Sequence, residues 1–151
     1  MPATFPLSID ERKELLRNRE YEIGEVQDGW STYLNRWNWK YFLTVTFKEP
    51  KQPHMADTTL QNIARVFKSR SDGRLFLGTE IHISRTLHVH GLFSPKTTSN
   101  DVSARVAHEI WRDLYDKFGR SQVRKVRSSE AVSDYVSKYV TKELTEWYMS
   151  T

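Results

Sequence analysis

Residues 75–93 read LFLGTEIHISRTLHVHGLF and contain two strand-like runs. The runs, Leu75–Ile83 and Leu87–Phe93, are rich in aliphatic, β-branched and aromatic residues, which is typical of strands. The connection between them, around Ser84–Thr86, is short enough for a β-hairpin. This stretch therefore predicts two adjacent antiparallel strands near the middle of the chain.

The segments around the hairpin predict further strands and helices. In chain order they are a strand at Tyr41–Phe47, a helix around Leu60–Phe67, a helix capped by Asn100 or Asp101 and stopped by Gly119, a basic strand at Gln122–Arg127, and a last helix from Ser129 to about Tyr148. The order from Tyr41 is then β-α-β-β-α-β, followed by a helix. Helices that cross one face of an antiparallel sheet form a two-layer α+β domain. We therefore predict a ferredoxin-like or RRM-like fold, with the last helix at its C-terminal end.

The first 38 residues are predicted to form a helical extension. Ser8–Glu11 has the form of a capping box and begins a charged helix toward Tyr21. Asp28-Gly29 indicates a turn. A second helix follows, with an apolar face made of Trp30, Tyr33, Leu34 and Trp37. We interpret this face as a packing surface rather than a platform for nucleic-acid bases, and we predict that residues 1–151 form a single domain.

The composition is that of a folded protein and excludes several kinds of site. The chain has 151 residues, of which 38% are hydrophobic and 28% charged. The absence of cysteine excludes thiolate metal sites, a cysteine nucleophile and disulfides. A formal net charge of +4 favours a polyanionic partner. Because neither a signal peptide nor a membrane span is evident, we expect a cytoplasmic protein without membrane partners.

The second hairpin strand carries the pair His88-Val89-His90. Alternate residues of a strand project to the same side, so both imidazoles share a face, and two histidines in this arrangement suit a divalent metal ion. The third ligand is expected from the facing strand, where Glu80 and His82 are the candidates. A three-residue loop would set Glu80 opposite His90 and His82 opposite His88. An even-numbered loop would turn Glu80 away, so the metal site requires an odd loop length.

The predicted last helix contains Tyr-Val-x-Lys twice, at Tyr135–Lys138 and Tyr139–Lys142. Residues four apart lie about 40° apart around a helix, so both tyrosine hydroxyls emerge on one side, with Lys138 and Lys142 nearby. Neighbouring cations favour the phenolate that a tyrosine needs for attack on phosphorus. The alternative interpretation is an amphipathic helix whose tyrosines pack against the sheet.

Three segments in this order resemble the motifs of HUH endonucleases. They are FLTVTF at residues 42–47, LHVHGLF at residues 87–93 and YVSKY at residues 135–139. Within that superfamily the pattern is similar to the nuclease domain of two-tyrosine rolling-circle replication initiators (Rep proteins) of phages and plasmids. Single-tyrosine transposases and conjugative relaxases are the neighbouring classes.

The resemblance implies a role for each matching residue. His88 and His90 would hold Mn²⁺ or Mg²⁺, with Glu80 as third ligand and His82 as the alternative. Tyr135 would be the principal nucleophile, Tyr139 the second tyrosine, and Lys138 the lysine of the third motif. The role of Lys142 is inferred from helix geometry alone.

The implied activity is the nicking and rejoining of single-stranded DNA through a 5′-phosphotyrosine, at an origin hairpin that starts rolling-circle replication in a host cell. Arg124, Lys125 and Arg127 are expected to hold the DNA backbone, and a helicase or polymerase is an expected partner. Because no Walker-type loop is present, we expect a stand-alone nickase or a fragment of a longer protein. Two other classes remain open: a non-catalytic nucleic-acid-binding module, and a hydrolase in which the metal activates water.

Overall fold

A computed structural model describes residues 8–81, 84–97, 99–127, 131–139 and 146–150. Its helices are α1 (Ile9–Leu34), a 3₁₀ turn (Pro53–Met55), α2 (Ala56–Arg70), α3 (Asn100–Lys117) and α4 (Ala131–Tyr139). Its strands are β1 (Tyr41–Val45), β2 (Arg74–Ile81), β3 (Leu87–Ser94), β4 (Ser121–Lys125) and β5 (Trp147–Ser150). The strands form one open sheet in the order β4-β1-β3-β2-β5, and every neighbouring pair is antiparallel. The predicted α+β class and the hairpin of β2 and β3 are confirmed.

One face of the sheet carries α2 and α3. Alternate residues of β1 and β3, such as Leu43 and Val89, pack there against Ile63 of α2 and Ile110 of α3. These residues are almost completely buried, as the predicted apolar faces of the two helices require. This half of the molecule corresponds to the two layers expected from the sequence.

The other face of the sheet is covered by the end of α1 and by α4. Leu34 of α1 and Val136 of α4 pack here with Phe76 of β2 and Leu92 of β3. The indole Nε1 of Trp39 donates a hydrogen bond of 2.9 Å to the Leu34 carbonyl and fixes the chain where it leaves α1. Helices therefore lie on both sides of the sheet, and the aromatic face of α1 is a packing surface, as predicted. This additional helical layer is favourable because it removes the large apolar side chains of Phe76 and Leu92 from water.

The turn predicted at Asp28-Gly29 is wrong, because α1 runs without interruption from Ile9 to Leu34. Its start is the predicted capping box: Ser8 Oγ accepts from the Glu11 amide at 3.1 Å. Continuation of the helix lets Trp30 pack on Phe76, with ring centroids 5.2 Å apart. Tertiary packing of this kind outweighs the unfavourable helix propensity of a glycine.

Because α1 continues through Gly29, we expect Gly29→Ala to stabilise the protein by about 0.5–1 kcal/mol, since alanine is the better helix former. A Cβ atom at Gly29 would have no neighbour within 4 Å. The matched control is Gly119→Ala, because Gly119 has φ +133° and its added Cβ would lie 2.6 Å from the Lys48 amide nitrogen. That variant should be destabilised, by more than about 1 kcal/mol. Urea unfolding measures the stability of both variants. A loss of stability in Gly29→Ala would contradict a continuous helix and favour the turn predicted at Asp28-Gly29.

The start of α3 and the C-terminal segment also differ from the sequence prediction. The N-cap of α3 is Ser99, whose Oγ accepts from the Val102 amide at 3.3 Å, rather than Asn100 or Asp101. The helix ends before Gly119, as predicted. Trp147 and Tyr148, predicted as the end of the last helix, belong instead to strand β5 (Trp147–Ser150), which pairs with the outer edge of β2. The exposed edge of β2 accounts for this, since its backbone groups need partners and tryptophan and tyrosine favour strands.

Among the helices that the structure describes, none is both long and apolar enough to cross a membrane.

Candidate active site

Glu80, His88 and His90 lie on one face of the two central strands. Glu80 is directly opposite His88 in the register of β2 and β3, and Ile81 is opposite Leu87. Five residues therefore separate the paired ends of the two strands instead of three, and the predicted pairing of Glu80 with His90 is wrong. The physical reason is that β2 ends at Ile81, while the Leu87 amide donates to the Lys51 carbonyl at 2.9 Å, outside the hairpin.

Despite this change of register, Glu80, His88 and His90 lie on the same face of the sheet, as predicted. The number of residues between the paired ends is still odd, and a register change of two residues keeps each side chain on the same face. Glu80 is 6% exposed and His90 1% exposed, while His88 is half-buried. His82, the alternative ligand, lies outside the described residues.

Helix α4 brings both of its tyrosines onto His90. The Tyr135 hydroxyl forms a 2.6 Å hydrogen bond with Nδ1 of His90. The ring of Tyr139 stacks on the His90 imidazole, with centroids 4.0 Å apart and planes 19° from parallel. The two tyrosine rings are 5.2 Å apart. The third sequence motif thus meets the second at one histidine, which is the side-by-side arrangement expected for residues four apart on a helix.

The two tyrosines differ in their surroundings. Tyr135 is 1% exposed, and burial raises its pKa well above the usual 10, with the neighbouring Tyr139 and Glu80 adding to the effect. Its hydroxyl is therefore a neutral phenol at neutral pH. Tyr139 is half-buried, and the ammonium group of Lys138 lies 5.2 Å from its ring centroid. The expected cation is thus beside Tyr139, whereas Tyr135 is in an environment that disfavours the phenolate.

The buried hydrogen bond between Tyr135 and His90 gives a stability prediction. Tyr135→Phe should lower the free energy of unfolding by about 1–2 kcal/mol, because it removes the hydroxyl from a buried imidazole nitrogen. Tyr139→Phe keeps the stacked ring and should change stability by less than about 0.5 kcal/mol. Urea unfolding of the two variants tests the difference, and equal stabilities would contradict the geometry at His90.

A cleft of about 270 Å³ opens beside these tyrosines, between α4 and the β1–β4 edge of the sheet. It is lined by Phe42, Leu43, Thr44, Gln122, Arg124, Tyr135, Lys138 and Tyr139. Thr44 is opposite His90 in one direction and Gln122 in the other, so these residues form one row across the sheet. The cleft therefore combines two tyrosines, two cationic side chains and polar groups, which together can receive a phosphodiester.

Several of these residues had no assigned role in the sequence prediction. Phe42 and Thr44 belong to the first motif, and Gln122 begins the predicted basic strand. Strand alternation is the signal that could have found them, because β1 residues of even number share the face of His88 and His90 once the two strands are paired.

The three basic residues proposed for the DNA backbone do not share one surface. Arg124 lines the cleft, where its Nη2 donates to Gln122 Oε1 at 2.7 Å. Lys125, the next residue of β4, contributes to a groove on the side of α3. Arg127 is exposed beyond the end of β4. Lys142 lies outside the described residues.

The donor set at Glu80, His88 and His90 is chemically suited to a divalent ion. Two imidazoles and a carboxylate are a common ligand set, and facing residues on paired strands have Cβ atoms about 5 Å apart. Within the described ranges, however, no three histidine or acidic side chains are close enough together to form a metal-binding group. The residue types and their shared face therefore suit an ion, whereas the side-chain positions that the structure describes do not form a metal-binding group.

Comparisons with protein-family models and with curated proteins found no match to this chain. The candidate function therefore depends on the site itself.

Proposed function

We propose that this protein nicks and rejoins single-stranded DNA through a covalent link to a tyrosine of α4, as a two-tyrosine HUH endonuclease does. The proposal depends on one observation: Tyr135 and Tyr139 both contact His90. The segments that resemble the second and third HUH motifs are therefore in direct contact. The strand order, with β5 added to β4-β1-β3-β2, is compatible with a ferredoxin-like fold and supports the same assignment.

Glu80, His88 and His90 would hold Mn²⁺ or Mg²⁺. When bound, such an ion polarises a non-bridging oxygen of the scissile phosphate and stabilises its developing charge. Because Nδ1 of His90 contacts Tyr135, this histidine would use its Nε2 atom as the ligand.

The side chains of this protein orient the phosphate and supply the nucleophile for its transfer from DNA to tyrosine. The tyrosine oxygen forms a bond to phosphorus while the bond from phosphorus to the 3′ oxygen breaks. In net balance, the proton lost by the tyrosine is gained by the 3′-hydroxyl, and the 5′ end remains as a phosphotyrosine. Arg124 and Lys138 balance the charge of the phosphate in the cleft. Attack by the same 3′-hydroxyl on the phosphotyrosine reverses the step and rejoins the strand.

Tyr139 is the better placed nucleophile in this conformation. It is half-buried in the cleft beside Lys138, whereas the Tyr135 hydroxyl is enclosed against His90. The resemblance assigns the principal role to Tyr135, which would have to leave His90 before it attacks. Two adjacent tyrosines also allow a second transfer before the first adduct is resolved, which the termination of a rolling circle requires. An origin hairpin is the proposed substrate.

The direct test is capture of the covalent product. The protein is incubated with Mn²⁺ and a pool of single-stranded oligonucleotides that carry hairpins flanked by randomised sequence. Protein is then denatured in SDS, and any DNA that stays linked to it is recovered and sequenced. We expect one recurring sequence joined by its 5′ end, and none when EDTA replaces Mn²⁺. Cleaved DNA without linkage would instead indicate a metal-activated hydrolase, and binding without cleavage would indicate a binding module.

A further inference from the structure

A second groove lies across β4 from the catalytic cleft, between β4 and α3. It encloses about 630 Å³. Its lining includes Ala104, Ala107, His108, Trp111, Val123 and Lys125. Because β4 is an edge strand of the sheet, this groove is open along its length.

Two rings of α3, His108 and Trp111, line the groove, and the ring of Tyr115 extends the row beyond Trp111. The centroids of His108 and Trp111 are 5.5 Å apart, and those of Trp111 and Tyr115 are 5.7 Å apart. The spacing along the helix is i, i+3, i+7, so the rings follow one face. Trp111 is held by a 2.8 Å hydrogen bond from its Nε1 to the Ser121 carbonyl, while Tyr115 is 50% exposed. An anchored ring with exposed rings on both sides is a stacking platform for unpaired bases.

The charges around the groove favour an anionic occupant. Lys125 is exposed on its β4 wall. Two acidic residues of α3 are directed elsewhere: Arg70 of α2 binds Asp113 at 2.8 Å and lies 3.6 Å from Glu109. Those carboxylates are therefore engaged at the α2 side of the helix.

The groove and the catalytic cleft share two lining residues. Gln122 and Arg124 line both of them, so the two sites are separated only by the width of β4. A strand of DNA that leaves the cleft beside Arg124 reaches Lys125 and then the aromatic row of α3.

We propose that this groove binds the single-stranded DNA that flanks the scissile phosphate. Its bases stack on His108, Trp111 and Tyr115, and Lys125 neutralises a phosphate of the same segment. This inference rests on the proposed function and adds to it a binding surface outside the cleft. It explains why the aromatic row and the basic edge strand lie together.

Photocrosslinking tests the location of the DNA directly. Oligothymidylate of 20 nucleotides, with 5-iodouracil at successive positions, is irradiated with the 151-residue chain, and the crosslinked peptides are identified by mass spectrometry. We expect crosslinks to Trp111 or Tyr115 from positions a few nucleotides away from those that crosslink to α4. Crosslinks confined to α4 and the β2–β3 hairpin would overturn the inference.

A matched pair of lysine variants tests the charge. Lys125→Gln should reduce the slope of log affinity against log salt concentration by about 0.7, the value for one phosphate contact on a single strand. Lys117→Gln removes the same charge from the end of α3, where Lys117 lies over Phe118 and outside the groove, and should leave the slope unchanged. Tyr115→Ala should weaken binding about fivefold, through lost stacking.

The outcomes separate this inference from the proposed function. If covalent adducts form but Lys125→Gln and Tyr115→Ala bind DNA as the native chain does, the groove inference fails and the function stands. If neither adducts nor DNA binding are observed, both fail. Loss of self-association or of peptide binding in Tyr115→Ala, with DNA binding retained, would assign the groove to a polypeptide and overturn the inference.

Discussion

Replacing Tyr135 and Tyr139 together with phenylalanine is expected to abolish covalent attachment of DNA, with a loss of at least about a thousandfold in the rate of nicking. The reason is that phenylalanine keeps the rings that pack against His90 but removes both hydroxyl nucleophiles. The measurement is the rate of formation of SDS-resistant protein–DNA product, with the DNA sequence recovered from the pool as substrate.

The single variants rank the two tyrosines. If Tyr139 attacks first, as its position beside Lys138 favours, Tyr139→Phe should lose most of the activity and Tyr135→Phe much less. The reverse order would mean that Tyr135 leaves His90 before reaction. Tyr33→Phe, which removes a hydroxyl from the aromatic cluster of α1, is the control and should nick at the native rate. Full activity in the double variant would contradict the proposed chemistry.

The second large effect is expected at the proposed metal ligands. His88→Ala should slow nicking more than about a hundredfold at saturating DNA, because stabilisation of the phosphate charge by a metal ion contributes several kcal/mol to the transition state. His88 is suited to this test since it is half-buried on β3 and it is His90, not His88, that forms the hydrogen bond with the Tyr135 hydroxyl, so the tyrosines should keep their positions. Glu80→Gln, which retains the size of the side chain but removes its charge, should raise the Mn²⁺ concentration needed for half-maximal rate.

A histidine outside the site provides the control for the metal prediction. His54 is exposed in the 3₁₀ turn before α2, and His54→Ala should leave both the rate and the Mn²⁺ dependence unchanged. Binding of Mn²⁺ measured by calorimetry adds a readout that is independent of DNA. If the native chain and His88→Ala bind Mn²⁺ equally, the proposed ligand set is wrong.

Local patterns in the sequence predicted much of the fold. The apolar spacing of α2 and α3, the alternation in β1 and the capping box at Ser8 depend on neighbouring residues, and each of these elements is present. The sequence could not show that α1 continues through Gly29, because that continuation depends on packing of Trp30 against β2. For the same reason Trp147 and Tyr148 were predicted as helix, since only pairing with the edge of β2 places them in a strand.

In the candidate site, too, local sequence patterns predicted some features, while others depend on tertiary packing. Strand alternation and helix spacing predicted that Glu80, His88 and His90 share a face and that the two tyrosines lie side by side. The meeting of His90 with Tyr135, the burial of Tyr135 and the cleft walls at Thr44 and Gln122 depend on the sheet order, which short motifs do not contain. The register of the hairpin likewise depends on where β2 ends.

The central claim is that a tyrosine of α4 becomes joined to the 5′ end of cut DNA. Its most direct test is mass spectrometry of the SDS-resistant product after digestion with nuclease and protease. We predict a peptide that contains Tyr135 and Tyr139 with added mass equal to a 5′-linked nucleotide phosphate, and fragmentation that assigns this mass to one of the two tyrosines. Nicked DNA with no modified peptide, or a nucleotide on a residue outside α4, would contradict the account.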